Sequence, residues 1–270
     1  MAYSCVSGFF SDPQIGPLPP RFGLIDITPE RWQKFEHAIA KLNSGEGAKY
    51  KVIYLGRHGQ GFHNLGKLKY GAEAWDTHWS YKDGDDEMTW GPDALLNETG
   101  RHQAIAAREA WRAEVPHGIP LPERCYSSPL RRALETWEIT FGGPDEEAVL
   151  SEEKRKVLVL ENIREECRGH SCDKRSSRTD LLAAYPSPAY TFDPSVTEDD
   201  EYWRRDWVET DEDIQRRARY VLDAIFQEDD TYISITSHGG FINGLLSVIG
   251  RPSYSLPTGG VLPLVVKYTS

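Results

Sequence analysis

From residue 51 onward the chain alternates short β-rich runs with amphipathic segments, and this alternation limits its fold more than any other feature. Lys51-Val52-Ile53-Tyr54-Leu55 is a β-rich run. The spacing predicts a helix over 99–113, a strand over 124–127, a helix over 130–140 and a strand over 157–160. Beyond a polar region at 166–210 it predicts a helix over 211–227, a strand over 231–236, a helix over 240–249 and a strand over 261–267. The expected class is α/β: a three-layer sandwich, its mainly parallel central sheet covered by helices on both faces. At 39% hydrophobic, a chain of 270 residues can fill one such core, and no internal repeat divides it.

The first 47 residues are of a different kind. Pro13, Pro17, Pro19 and Pro20 lie between glycines, so residues 1–24 read as an irregular arm. Thr28 and Pro29 suit an N-cap and first helical position, and Trp32, Phe35, Ile39 and Leu42 follow at helical spacing up to Asn43-Ser44-Gly45. The expected organisation is an arm and helix over 1–47, packed on a single catalytic domain over 48–270. Insertions are expected at about 66–92 and 166–210. The first places Trp75, His78, Trp79, Tyr81 and Trp90 among Asp83, Asp85 and Asp86 without a clean period. Covering the core is the ordinary role of such aromatics, and a substrate lid is the alternative.

The formal charge of -11 argues against a surface built for nucleic acid or anionic lipid, both of which need a basic face. It leaves room for a small anionic substrate, because a few arginines in one cleft set the local potential. Four cysteines are too sparse for a disulfide framework and are expected as reduced thiols. No stretch reaches the roughly 18 apolar residues of a membrane span, and the expectation is a soluble, cytoplasmic protein. Cys167, His170 and Cys172 form C-x2-H-x-C, but no second ligand pair is evident, so no metal and no cofactor are expected.

In parallel sheets, ligands bind where loops leave the carboxyl ends of the strands. Three unusual segments stand at such places: Arg57-His58-Gly59, Ser127-Ser128-Pro129 with Arg132, and Ser237-His238-Gly239. Arginine forks bind phosphate oxygens bidentately, and an imidazole is a nucleophile near neutral pH. Together they make a cationic pocket suited to phosphoryl transfer onto a histidine. Gly56 and Gly59 let the backbone pass close to the bound group.

These segments resemble the histidine phosphatase superfamily, whose members include cofactor-dependent phosphoglycerate mutases and many phosphatases. Arg57-His58-Gly59 followed by Asn64 resembles its RHGxxxxN signature, and Leu96 to Ala104 resembles LTxxGxxQA with Asn97 in place of Thr. Ser128-Pro129-Leu130-Arg131-Arg132-Ala133 resembles SxLxRA, which puts the second catalytic arginine at Arg132. Ile163-Arg164-Glu165 with Gly169 resembles the LxE segment, and Ser237-His238-Gly239 the SHG segment. The wording around them is similar to fungal and plant phosphoglycerate mutase-like proteins.

The resemblance implies His58 as nucleophile, Arg57, Arg132 and His238 on the phosphate oxygens, and Glu165 as proton donor and later base. Glu166 or Glu161 is expected to raise the pKa of Glu165. Asn64, Gly59, Gln60, Gly61 and Gly239 are the implied substrate-binding positions, although Asn64 equally suits backbone capping of its loop. Gln60-Gly61 stands where phosphoglycerate mutases usually have Glu-Ser. The leading expectation is a metal-independent phosphatase for a small organic phosphate, with a phosphoglycerate-type mutase and a non-catalytic phospho-ligand-binding protein as alternatives.

Overall fold

The computed structural model describes residues 2–11, 16–143, 147–186 and 188–269. Among these, seven strands form one sheet in the order β1-β7-β2-β6-β3-β4-β5. They are β1 (Ala2–Val6), β2 (Ala48–Arg57), β3 (Arg124–Ser127), β4 (Val157–Val159), β5 (Tyr190–Phe192), β6 (Tyr232–Ser237) and β7 (Val261–Thr269). From β2 through β6, β3 and β4 to β5 the pairings are parallel, while β7 runs antiparallel to β2 and to β1.

The described residues also form eight α-helices: α1 (Arg31–Asn43), α2 (Phe62–Tyr70), α3 (Ala72–Thr77), α4 (Glu98–Glu114), α5 (Arg131–Phe141), α6 (Arg178–Ala184), α7 (Asp211–Gln227) and α8 (Gly239–Val248). The side-chain alternation of β2 sorts them into layers. Val52 and Tyr54 pack with Trp32 of α1, Trp111 of α4, and Leu134 and Trp137 of α5. Ile53 and Leu55 face the other way, onto Val221, Leu222 and Ile225 of α7 and Phe241, Ile242 and Leu245 of α8. The result is the expected three-layer α/β sandwich, with α1, α4, α5 and α6 on one face and α7 and α8 on the other.

Several local expectations are corrected. Residues 2–6 are not irregular: Ala2 to Val6 pair in register with Thr269 to Val265 and form an edge strand. Helix α1 starts at Arg31, not at Pro29, because the Thr28 hydroxyl that was to cap it donates to Asp26 Oδ1 at 2.6 Å. The aromatic stretch 66–92 holds α3, most of α2 and a short 3-10 turn, Trp79–Tyr81. Trp75, Trp90, Ala94 and Cys172 form a small apolar cluster of their own there, separate from both main cores. Within 166–210, the structure has α6 and a seventh strand, β5, paired with β4.

The register is what builds the site. Arg57 is level with Ser237 on the neighbouring parallel strand, and Ser127 is level with Thr236. The backbone N–H of His58 donates to Ser237 O at 2.9 Å, and that of Ser128 to Thr236 O at 3.0 Å. All three sequence motifs therefore leave the sheet side by side at one edge.

Candidate active site

His58 and His238 end adjacent strands, and their ring centroids lie 4.9 Å apart. His58 Nδ1 is 2.6 Å from the carbonyl oxygen of Gly59. A carbonyl only accepts, so the proton belongs on Nδ1 and the lone pair on Nε2. His238 has the opposite arrangement. Its Nε2 is 2.8 Å from Ser128 Oγ, which already accepts from the Leu130 N–H at 3.2 Å. Nε2 is the acceptor within reach of that hydroxyl proton among the described residues, so the hydroxyl donates to it and Nδ1 of His238 is left as a buried donor without a partner there.

Among the described residues, Nε of Arg57 and Nε of Arg132 are also buried without a partner, as are Nδ1 of His63 and the Nε of Arg131 and Arg164 nearby. Arg57 is held by Nη1 on Leu256 O at 2.7 Å. Arg132 is held by Nη1 on Cys172 O and by Nη2 on Asp173 Oδ1, each at 2.7 Å. Burial first, and then the charges of Arg132 and Arg57, hold the His58 imidazole well below its ordinary pKa, so it stays neutral. The same causes act on His238, with His58 and His63 adding to them.

An open cavity of about 470 Å³ lies at this edge, reaching Arg57, His63, Glu165, Cys172 and Asp173. His58, Arg132 and His238 sit one side chain behind its wall, His58 against the ring of His63 at 5.4 Å and Arg132 beneath Cys172 and Asp173. Glu165 projects into the cavity with Oε1 accepting from the backbone N–H of Gly240 at 2.8 Å. Its carboxyl is pushed up to about 7, mainly by burial and then by the charge of Asp173, against the opposing pull of Arg132 and Arg57. The carboxylate responsible is thus Asp173 and not Glu161 or Glu166. Glu161 is consumed by ion pairs with Arg164 and Arg175, and Glu166 by one with Arg168.

The other expected substrate-binding positions divide. Asn64 lines the cavity, and its Oδ1 also accepts from Gly61 N–H at 2.9 Å, so it caps the loop. Gly59 and Gly61 are required by close approach: a Cβ on Gly59 would lie 2.3 Å from Gly100 O, and one on Gly61 2.6 Å from His63 Nδ1. Gly239 lies against the guanidinium of Arg57, with ordinary room for a Cβ at 3.8 Å. Gln60 does not reach the cavity. Its amide oxygen accepts from Asn97 Nδ2 at 2.9 Å and its backbone N–H donates to Gln103 Oε1 at 2.8 Å, so it fastens the 58–61 loop to α4.

Sequence reasoning missed His63, Asp173 and Gly240. His63 lies in the first turn of α2, between Gly59 and Asn64 of the first motif, and Asp173 in the segment read as an insertion at 166–210; only the tertiary fold turns them into the cavity. His170, Cys172 and Asp173 also bring three possible ligand atoms within 4.8 Å of one another. Asp173 is committed there to Arg132, and a cation would have to compete with that guanidinium.

The sequence pattern of the histidine phosphatase superfamily, branch 1, matches residues 53–258. The chain belongs to this superfamily. Its relatives carry both of the family's best-known labels. A probable phosphoglycerate mutase of Arthroderma benhamiae is 38% identical over 290 residues, covering 99% of this chain and 84% of its own. Phosphomutase-like protein 3 of Candida albicans is 31% identical over 269 residues, covering 98% and 79%. A probable phosphatase of Schizosaccharomyces pombe is 27% identical over 209 residues, covering 76% and 82%. Among the described residues, no helix is long and apolar enough to cross a membrane.

Proposed function

We propose that this chain is a metal-independent phosphomonoesterase that hydrolyses a small organic phosphate through a phosphohistidine on His58. The observation that carries the reading is the convergence of buried, unpartnered donors on Arg57, Arg132 and His238 around a neutral imidazole whose lone pair is on Nε2. Such donors are costly in a folded protein unless an anion uses them.

In the first step, His58 Nε2 attacks phosphorus and the ester P–O bond breaks. The electron pair leaves on the ester oxygen, which takes the proton of the Glu165 carboxyl. Arg57, Arg132 and His238 hold the equatorial oxygens and offset their charge. In the second step, the Glu165 carboxylate takes a proton from water, the water oxygen attacks phosphorus and the N–P bond breaks, releasing inorganic phosphate. The three cationic or N–H groups supply the charge stabilisation that a metal would otherwise provide.

Position 61 favours hydrolysis over mutase chemistry. The His63 imidazole fills the space in which a side chain there would stand, 2.6 Å from a Cβ, so no hydroxyl from this position can contact the transferred group. The test is incubation with generic phosphate esters, with and without a bisphosphate primer. Release of inorganic phosphate through an acid-labile phosphoenzyme is expected, and both should vanish in His58→Ala. Undiminished turnover in that variant, or primer-dependent transfer far outpacing hydrolysis, would overturn the assignment.

A further inference from the structure

One buried carboxylate in the site has no part in the chemistry just described. Asp173 sits on a short 3-10 turn, Ser171–Asp173, and is only 5% exposed. The turn is fixed from three sides. Ser171 Oγ bonds Asp83 of the aromatic segment, Arg164 Nη2 donates to the Asp173 carbonyl, and Arg132 Nη1 donates to that of Cys172. A side chain this well located, carrying a negative charge into a pocket meant for an anion, works against substrate binding unless it serves the reaction.

We propose that Asp173 is a positioning residue of this site: its carboxylate clamps Arg132 within the phosphate cradle and sets a negative charge opposite Glu165, the proton donor. This inference presupposes the phosphohistidine reading above. Two observations argue for it. A guanidinium has five N–H bonds, and the two taken by Cys172 O and Asp173 Oδ1 leave Nε–H and one N–H on each terminal nitrogen, so the clamp orients Arg132 without exhausting it. Second, the charged and titratable groups facing Glu165 are Arg57 from β2, Arg132 from α5, and Asp173 with Cys172 from the turn. Beside it, Glu166 is paired with Arg168. Two of these groups are cations that would strip the proton from Glu165. Asp173, although paired with Arg132, is the carboxylate on the cavity side that acts against them, in keeping with a Glu165 carboxyl pushed up to about 7.

Asp173→Asn tests this directly, because an amide oxygen can still accept from Arg132 Nη2 while the charge is gone. The full chain is assayed with p-nitrophenyl phosphate, whose leaving group needs no proton, and with 2-glycerophosphate, whose leaving group does. Inhibition by inorganic phosphate and quenching of tryptophan fluorescence by phosphate are followed in parallel. The expected signature is split. Phosphate binds several-fold more tightly, the basic limb of kcat/KM moves down from about 7, and 2-glycerophosphate turnover at pH 7 falls about tenfold per unit of that movement. Turnover of p-nitrophenyl phosphate falls less than that of 2-glycerophosphate, so the ratio between the two esters changes. Asp173→Ala, which also removes the clamp, should raise KM for both esters.

An unchanged basic limb and unchanged phosphate affinity in Asp173→Asn would overturn the inference. So would equal loss with both esters together with weaker phosphate binding, the mark of a merely structural residue. A wild-type chain that binds phosphate and hydrolyses neither ester would refute the phosphatase reading alone. In that case the direction of the phosphate-affinity change in Asp173→Asn still decides the role of Asp173.

Discussion

Two backbones in contact couple α4 to the loop that carries His58, and a single methyl group between them is a sharp test of the site. Gly100 lies in the first turn of α4, and a Cβ there would stand 2.1 Å from Gln60 O and 2.7 Å from Gln60 N. Ordinary carbon–oxygen contact begins near 3.4 Å, so Gly100→Ala must push the 58–61 loop away by about 1.3 Å or tilt the helix by as much. The loop cannot yield freely, because Gln60 O accepts from Asn97 N–H at 3.0 Å and Gln60 N–H donates to Gln103 at 2.8 Å. Overpacking of this size costs about 1–3 kcal/mol, and alanine returns about 1 kcal/mol in helix propensity. The net loss of stability is therefore about 0–2 kcal/mol. Activity should suffer far more, since misplacing a reacting group by about 1 Å can cost about 10²-fold. Urea unfolding and kcat/KM on the same preparation measure the two effects. Gly45→Ala, whose Cβ would meet only Leu42 O at 3.6 Å, is the control and should change neither. If Gly100→Ala keeps more than half of wild-type kcat/KM, the reasoning that the loop is rigidly gauged against α4 fails.

Two further outcomes follow from the histidines. His58, His63 and His238 are each held neutral in the fold, with pKa values lowered well below 6.5 chiefly by burial. The unfolded chain binds protons on them as pH falls through about 6.5 and the folded chain does not, so stability is lost on acidification, at up to about 1.4 kcal/mol per pH unit for each. Urea unfolding at pH 6.5 and 5.5 should register this as a net loss, partly offset by Glu165, whose raised pKa acts the other way, and His63→Gln should flatten the slope; equal stability in wild type and no change of slope in the variant would contradict the neutral assignment. Ser128→Ala removes the hydroxyl that sets the His238 tautomer and leaves a buried ring nitrogen unpaired. It should lower kcat/KM about tenfold and stability by about 1–3 kcal/mol, and wild-type kinetics would show that the tautomer is set by something else.

What the sequence made legible was whatever depends on short spans. Strand β3, over Arg124–Ser127, and helix α7, over Asp211–Gln227, fall where the pattern predicts them, because each carries its apolar period and its end signals within itself. The strand-end motifs were readable for the same reason. Helix α2 was not, since it contains Gly66, which local propensity disfavours. That glycine is there for the neighbouring ring: a Cβ would lie 2.5 Å from Trp75. Strands β1 and β5 sit at the two edges of the sheet, five and three residues long, and owe their existence to partners far away in the chain. Asp173 was passed over because nothing near it in sequence marks it. Its partner Arg132 lies 41 residues away.

The buried arginine beside Glu165 sets a limit on how this site can change. Arg164 is fully buried and joins Glu161, Asp200 and the carbonyl of Asp173, while Arg175 holds the second oxygen of Glu161. Two positive and two negative side chains thus cancel in a place with little water, and removing any one leaves a net charge there. Glu165 is the next residue along the backbone. The loop that carries Asp200 cannot be exchanged alone, for the incoming loop would have to bring a matching carboxylate or unseat Glu165. The aromatic segment is tied to the 166–210 region by the Ser171 bond to Asp83, by packing of Trp75 and Trp90 with Cys172, and by Arg205 donating to Tyr81 O, none of which is an ion pair of this network, so it is the freer place for divergence in specificity.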